Sequence, residues 1–247
     1  MNPSLISPVA ALLALSGGLS AATSINLVPL SDAFVSAANA SNNYGAASAL
    51  GVSAGGLAKG EFQSLLMFGF SSAKTQFDTT YGSGGWMVDS ISLQLTAANP
   101  NNAIFNTSSS GSISLRWLAD DSWTEGSGTP ASPGATGVAF SALAGILSSP
   151  SESLGSHAYN GATSGVVLID LPLTTGLVTD IGNGGNTTIN LLPGDSTVSG
   201  LFNSRNNSTP ANRPVLTVTA SAVPEPTIWM LSMFPALIMV ANRRRTS

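Results

Sequence analysis

The feature of this 247-residue chain that most limits its fold is a series of short runs in which apolar residues recur at every second position, each run closed by Asn, Gly, Ser or Pro. Residues 90–96 read Ser-Ile-Ser-Leu-Gln-Leu-Thr and residues 112–117 read Ser-Ile-Ser-Leu-Arg-Trp. Successive side chains of an extended strand point to opposite faces, so each run gathers its apolar residues on one face, the pattern of a half-buried antiparallel strand. Residues 65–70, Leu-Leu-Met-Phe-Gly-Phe, are apolar on both faces and read as a central strand between the core and a covering loop. Further strands are expected at 33–35, 49–52, 166–169, 187–192 and 215–219. Turn chemistry separates them, as in Asn42-Asn43-Tyr44-Gly45 and Gly182-Asn183-Gly184-Gly185. About eight such strands predict an all-β fold, a single antiparallel β-sandwich of jelly-roll type. Two short helices are expected at 140–147 and 174–181, the second behind a threonine cap, and 124–133 reads as a loop.

Composition narrows what such a sandwich can do. Only 8% of residues are charged against 43% hydrophobic, and the remainder is rich in Ser, Thr, Asn and Gly, which suits strands and polar turns better than surface helices. From residue 23 to 222 the chain carries five cations (Lys59, Lys74, Arg116, Arg205 and Arg213) against eleven acids, a net charge of −6. Five scattered cations make no basic stripe for a phosphate backbone, so nucleic acid is not an expected partner. With no cysteine there is no disulfide framework, thiolate metal site or cysteine nucleophile.

The two ends differ from the body. Residues 9–19, VAALLALSGGL, are apolar and are followed by Ser20-Ala21-Ala22, small residues suited to signal peptidase cleavage after Ala22. Residues 1–22 therefore read as a secretory signal peptide. At the other end Val223, Pro224, Glu225 and Pro226 lead into a fourteen-residue apolar stretch, 228–241, and then into Arg243, Arg244 and Arg245. Such a helix would be about 21 Å long, short of the roughly 30 Å hydrocarbon core, and Pro235 interrupts it. The arginines would keep the terminus cytoplasmic and the body outside the inner membrane.

This order of VPEP, short apolar helix and terminal arginine cluster resembles the PEP-CTERM sorting signal of Gram-negative-type bacteria that make extracellular polysaccharide. The resemblance implies that an exosortase in the inner membrane recognises Val223 to Pro226, that 228–241 is a transient membrane helix, and that Arg243, Arg244 and Arg245 are stop-transfer charges. Residues 23–222 in turn resemble the DNRLRE domain, related to carbohydrate-binding modules of polysaccharide-active proteins. The residues carrying this are Asp32-Ala33-Phe34-Val35, Asn43-Tyr44-Gly45, Leu50-Gly51-Val52, Ser64 to Phe68, Ile91 to Leu95, Ser122-Trp123-Thr124-Glu125-Gly126, and Ser204-Arg205 with Arg213 to Val218. A second tryptophan motif expected after Glu125 is absent. The two resemblances together imply an exported protein of the cell surface or extracellular matrix, with a structural or adhesive role in the exopolysaccharide or biofilm layer. The alternative they leave open is a carbohydrate-binding module that recognises an extracellular polysaccharide.

Catalytic chemistry has little to draw on, and the body is not read as an enzyme or as a holder of a cofactor. His157 is the single histidine, which removes multi-histidine zinc sites, and it reads as a surface-loop residue. Asp120 and Asp121 would point to opposite faces of a strand. They therefore read as solvated turn or strand-end acids rather than a hydrolytic pair, with a structural calcium ion on such oxygens as the alternative. Trp123 and Glu125 remain as candidate carbohydrate-binding residues, an indole to stack on a sugar and a carboxylate to accept its hydroxyl protons, unless Trp123 fills the core and Glu125 ties down a loop. Trp86 and Tyr44 are further aromatic candidates.

Overall fold

In a computed structural model, which describes residues 21–101 and 104–224, the alternating runs become two antiparallel sheets packed face to face. The first runs in the order β1 (Thr23–Leu27), β11 (Val215–Ala222), β5 (Trp86–Thr96), β8 (Val166–Leu171). The second runs β10 (Ser199–Asn203), β3 (Ala49–Ser53), β4 (Phe62–Gly69), β9 (Asn186–Pro193), β6 (Gly111–Leu118), β7 (Ser151–Tyr159), with β2 (Ser31–Ser36) also paired to β4. The chain crosses between sheets from β4 to β5, back to β6, and across again from β7 to β8 and from β8 to β9, and its first and last strands are neighbours. That connectivity is the expected jelly roll of two interlocked Greek keys.

The period-two pattern explains which side chains fill the space between the sheets. On β5, Ile91, Leu93 and Leu95 are buried while Ser92 and Gln94 between them are half-exposed. They meet Leu66 and Phe68 of β4, Leu115 of β6, Ile189 and Leu191 of β9, and Leu216 and Val218 of β11. Burial of each such side chain contributes about 2 kcal/mol before the entropy of ordering it is subtracted.

β4 is the exception, since Phe62 to Phe68 are all buried. Its second face, Leu65 and Met67, packs with Ala33 and Val35 under Trp123, Val138 and the helix α2 (Phe140–Leu147) through Leu143 and Ile146. The excursion between β6 and β7 is thus the cover anticipated from a strand apolar on both faces. At one flank Phe34 stacks on Tyr44 with ring centroids 4.6 Å apart, and Phe62 meets Phe105 edge-on.

Two helices bridge the sheets. α3 (Thr175–Asn183) lies near its expected place with Thr174 at the cap position, but the threonine hydroxyl does not bond to the helix. α1 (Ser71–Tyr81) was not foreseen: only Ala73, Phe77 and Tyr81 face inward, a stripe too thin to read in sequence. The hydroxyls of Thr75, Thr79 and Thr80 bond back to carbonyls four residues earlier.

Candidate functional site

The segment 119–139 follows from the burial of β4: a strand with two apolar faces needs a lid, and Trp123 is its anchor. The Trp123 ring is only 8% exposed, among Leu65, Met67, Leu118 and Val138. Its Nε1 donates to Thr188 Oγ1 at 2.9 Å, and that hydroxyl donates to Asp121 Oδ1 at 2.7 Å. The indole presents no face on which a sugar ring can stack.

Glu125 is equally committed. Arg205 grips it bidentately, Nε to Oε1 at 2.7 Å and Nη2 to Oε2 at 2.5 Å, the fork geometry that makes arginine the preferred partner of a carboxylate. Oε1 also accepts the backbone N–H of Asp32. Asp32 Oδ2 in turn accepts the backbone N–H of Arg205 at 2.7 Å, closing a ring between β2, the 119–139 segment and the turn after β10. Asn43 finishes the closure: its Nδ2 donates to the carbonyls of Glu125 and Val138, and its Oδ1 accepts from the N–H groups of Gly45 and Gly128. The chain approaches so closely here that a Cβ on Gly45 would stand 1.8 Å from the Glu125 carbonyl oxygen. Asp32, Asn43, Gly45, Glu125 and Arg205, scattered along the sequence, therefore form one clasp. Burial pushes the Asp32 carboxyl up to about 7 against the lowering effect of the Arg205 N–H, and its Oδ1 is buried without a hydrogen-bond partner.

The other acids are held singly. Asp120 takes the backbone N–H and hydroxyl of Ser122, which lower its pKa. Burial raises those of Asp121 and Asp180, and Asp180 Oδ2 accepts Trp117 Nε1 at 2.7 Å. Among the described residues no group of three or more His, Asp or Glu side chains is placed to hold a metal ion. His157 departs from its expected loop: it lies in β7, opposite Ile113, half-buried, with its pKa lowered by that burial.

Open chemistry lies elsewhere, in a groove of about 770 Å³ between α1, the start of β5 and α3. Trp86, Met87, Leu173 and Val178 supply its apolar walls, and Lys74 and Thr174 its polar ones. Trp86 packs against Phe77 and its Nε1 donates to Asp78 Oδ1 at 2.8 Å, while Lys74 pairs with Asp78 Oδ2. The groove exists because β8 ends at Leu171, opposite Ile91, leaving the first residues of β5 without a strand on that side. Of the aromatic candidates Tyr44, Trp86 and Trp123, Trp86 lines this groove and the other two are buried, and nothing in its spacing to Lys74 or Leu173 announced the groove.

Both ends of the described body leave from one place. Thr23 pairs with Ala220, and Ala222 with Trp86. Tyr81 Oη lies 2.8 Å from the Ala21 carbonyl oxygen, and the Val223 N–H donates to the Gly85 carbonyl at 3.0 Å. Ala22, Val223 and Pro224 are exposed. Glu225, Pro226, the apolar stretch 228–241, Arg243, Arg244, Arg245 and residues 1–20 lie outside the described residues. Among those described, no helix is long and apolar enough to cross a membrane. Set against known proteins, the chain matches no family model and no curated protein.

Proposed function

We propose that this is an exported bacterial protein, freed of its N-terminal signal by signal peptidase and processed through a PEP-CTERM tail by an exosortase-type enzyme. It passes transiently through the inner membrane and then serves a structural or adhesive role in the exopolysaccharide layer. One observation carries the reading: the first core strand opens at Thr23, one residue after Ala22, and the last closes at Ala222, one residue before Val223. The two strands pair, so cutting at both places leaves every strand of the sandwich in position. Val223 and Pro224 are exposed where a cutting enzyme would need them. In cells lacking the exosortase-type enzyme, the uncut form accumulates in the inner membrane and the matrix loses the protein; unchanged release would defeat the proposal.

Recognition of an extracellular polysaccharide is the second reading, favoured by the outer face of the first sheet. There Ser24 bonds Thr219 and Asn26 bonds Thr217, giving a ladder of hydroxyls and amides suited to an uncharged polymer. The buried Trp123 and the gripped Glu125 take no part in it. Affinity electrophoresis of the mature protein in polysaccharide gels tests it: retardation lost on Thr219→Lys supports the reading, and mobility equal in all gels rejects it.

A further inference from the structure

The tail leaves the sandwich next to the open groove. The Val223 N–H is bonded to Gly85, and the neighbours of Gly85 on either side, Gly84 and Trp86, line the groove. The tail therefore leaves the sandwich beside two lining residues, and the six residues 224–229, Pro-Glu-Pro-Thr-Ile-Trp, can extend about 20 Å from there. The apolar walls are unusually bare, with Met87 48% and Leu173 47% exposed, and Val223 itself 45%. β8 pairs with β5 only from Ile91 onward, so among the described residues no strand lies beside Trp86 on that side.

We propose that this groove seats the chain's own tail, residues 224–229 folding back from their exit to lie against Trp86, Met87, Leu173 and Val178. The chemistry matches on both sides. Prolines flanking one acid favour an extended polyproline conformation at low ordering cost, and aromatic-lined grooves take such segments. Glu225 is the tail's one acid, and Lys74 is the one cation lining the groove among the described residues. Asp78 is the one carboxylate there, with its oxygens given to Lys74 and Trp86 Nε1, and the Lys74 ammonium keeps N–H groups for a second acceptor. Docked in this way, the segment is withheld from proteases and from other apolar surfaces until a competing site draws it out. The inference rests on the exit and composition of the tail and does not depend on which enzyme cuts it.

Because the natural chain has no cysteine, disulfide trapping in the full-length protein tests this directly. Met87→Cys with Ile228→Cys is compared, under mild oxidation, with Ser24→Cys with Ile228→Cys. Ser24 is exposed on β1, on the far side of β11 from β5, yet close to the same exit. Tethering alone favours the two pairs alike, so docking shows as trapping about tenfold faster for the first pair, lost on adding Leu173→Asp. Equal rates overturn the proposal. So does faster trapping of Met87→Cys with Leu13→Cys, which would give the groove to the N-terminal segment instead. Met87 and Leu173 are solvent-facing, and an unchanged thermal midpoint certifies each variant as folded.

Discussion

Two clusters in this sandwich are built from the same three chemistries, an indole, a carboxylate and a cation, and put them to opposite use. In the clasp Trp123 is buried under the 119–139 segment and Glu125 is gripped by Arg205, eighty residues away in sequence. In the groove Trp86 borders open space and Asp78 pairs with Lys74 one helical turn away. The clasp pair ties together segments far apart in the sequence. The groove pair spans one turn of a single helix, where an ion pair contributes little, and Asp78 reaches β5 only through Trp86 Nε1. A tryptophan beside a carboxylate is thus no sign of a binding face until it is known what else the carboxylate holds.

The sharpest break of this comparison is Trp123→Ala. It empties a core site and takes from Thr188 Oγ1 its indole donor, at a cost of about 4 kcal/mol, seen as a large fall in the denaturation midpoint. A variant of wild-type stability would return Trp123 to the list of ligand residues. Glu125→Ala follows, leaving Arg205 and the Asp32 N–H without their acceptor; we expect about 3 kcal/mol, below the full buried-pair cost because Arg205 is one-third exposed. Lys74→Ala, the matching cut in the groove, should not move the midpoint measurably.

A finer test uses pH. Asp32 has a folded pKa of about 7 against an ordinary 3.8, so the folded state holds its proton more tightly than the unfolded chain. Its contribution to stability is fully present below pH 3.8 and is lost as pH rises through 7. Asp32→Asn keeps an oxygen for the Arg205 N–H and removes the titration. Wild type should therefore lose stability relative to this variant between pH 4 and 7, and a constant difference across that range would place the charged carboxylate comfortably in the clasp. Smallest of all, Met87→Ser should change stability by no more than about 0.5 kcal/mol, because Met87 is half-exposed and outside the core cluster.

Sequence periodicity revealed the strands whose inner faces are continuous, such as β5 and β6, and the doubly buried β4. It missed β7, where Leu154 and Tyr159 are the only fully buried residues and edge position supplies the rest of the order. It missed α1 because threonines make a poor helical signal and the bridge between sheets, rather than propensity, decides that segment. The clasp residues were each visible through a family resemblance, but their convergence was not, since hydrogen bonds between segments ninety residues apart leave no spacing to read. The groove was hidden altogether, because it is made by the early end of β8, a boundary that no residue pattern marks.

The central claim is that the sandwich is the mature product of cuts at both of its neighbouring ends. Intact mass of the protein recovered from the surface or matrix of its native cells tests it most directly. The account predicts a chain beginning at Thr23 and ending near Pro224 to Pro226, without Arg243, Arg244 and Arg245. A chain running from Met1 to Ser247, recovered from the cytoplasm, would contradict it.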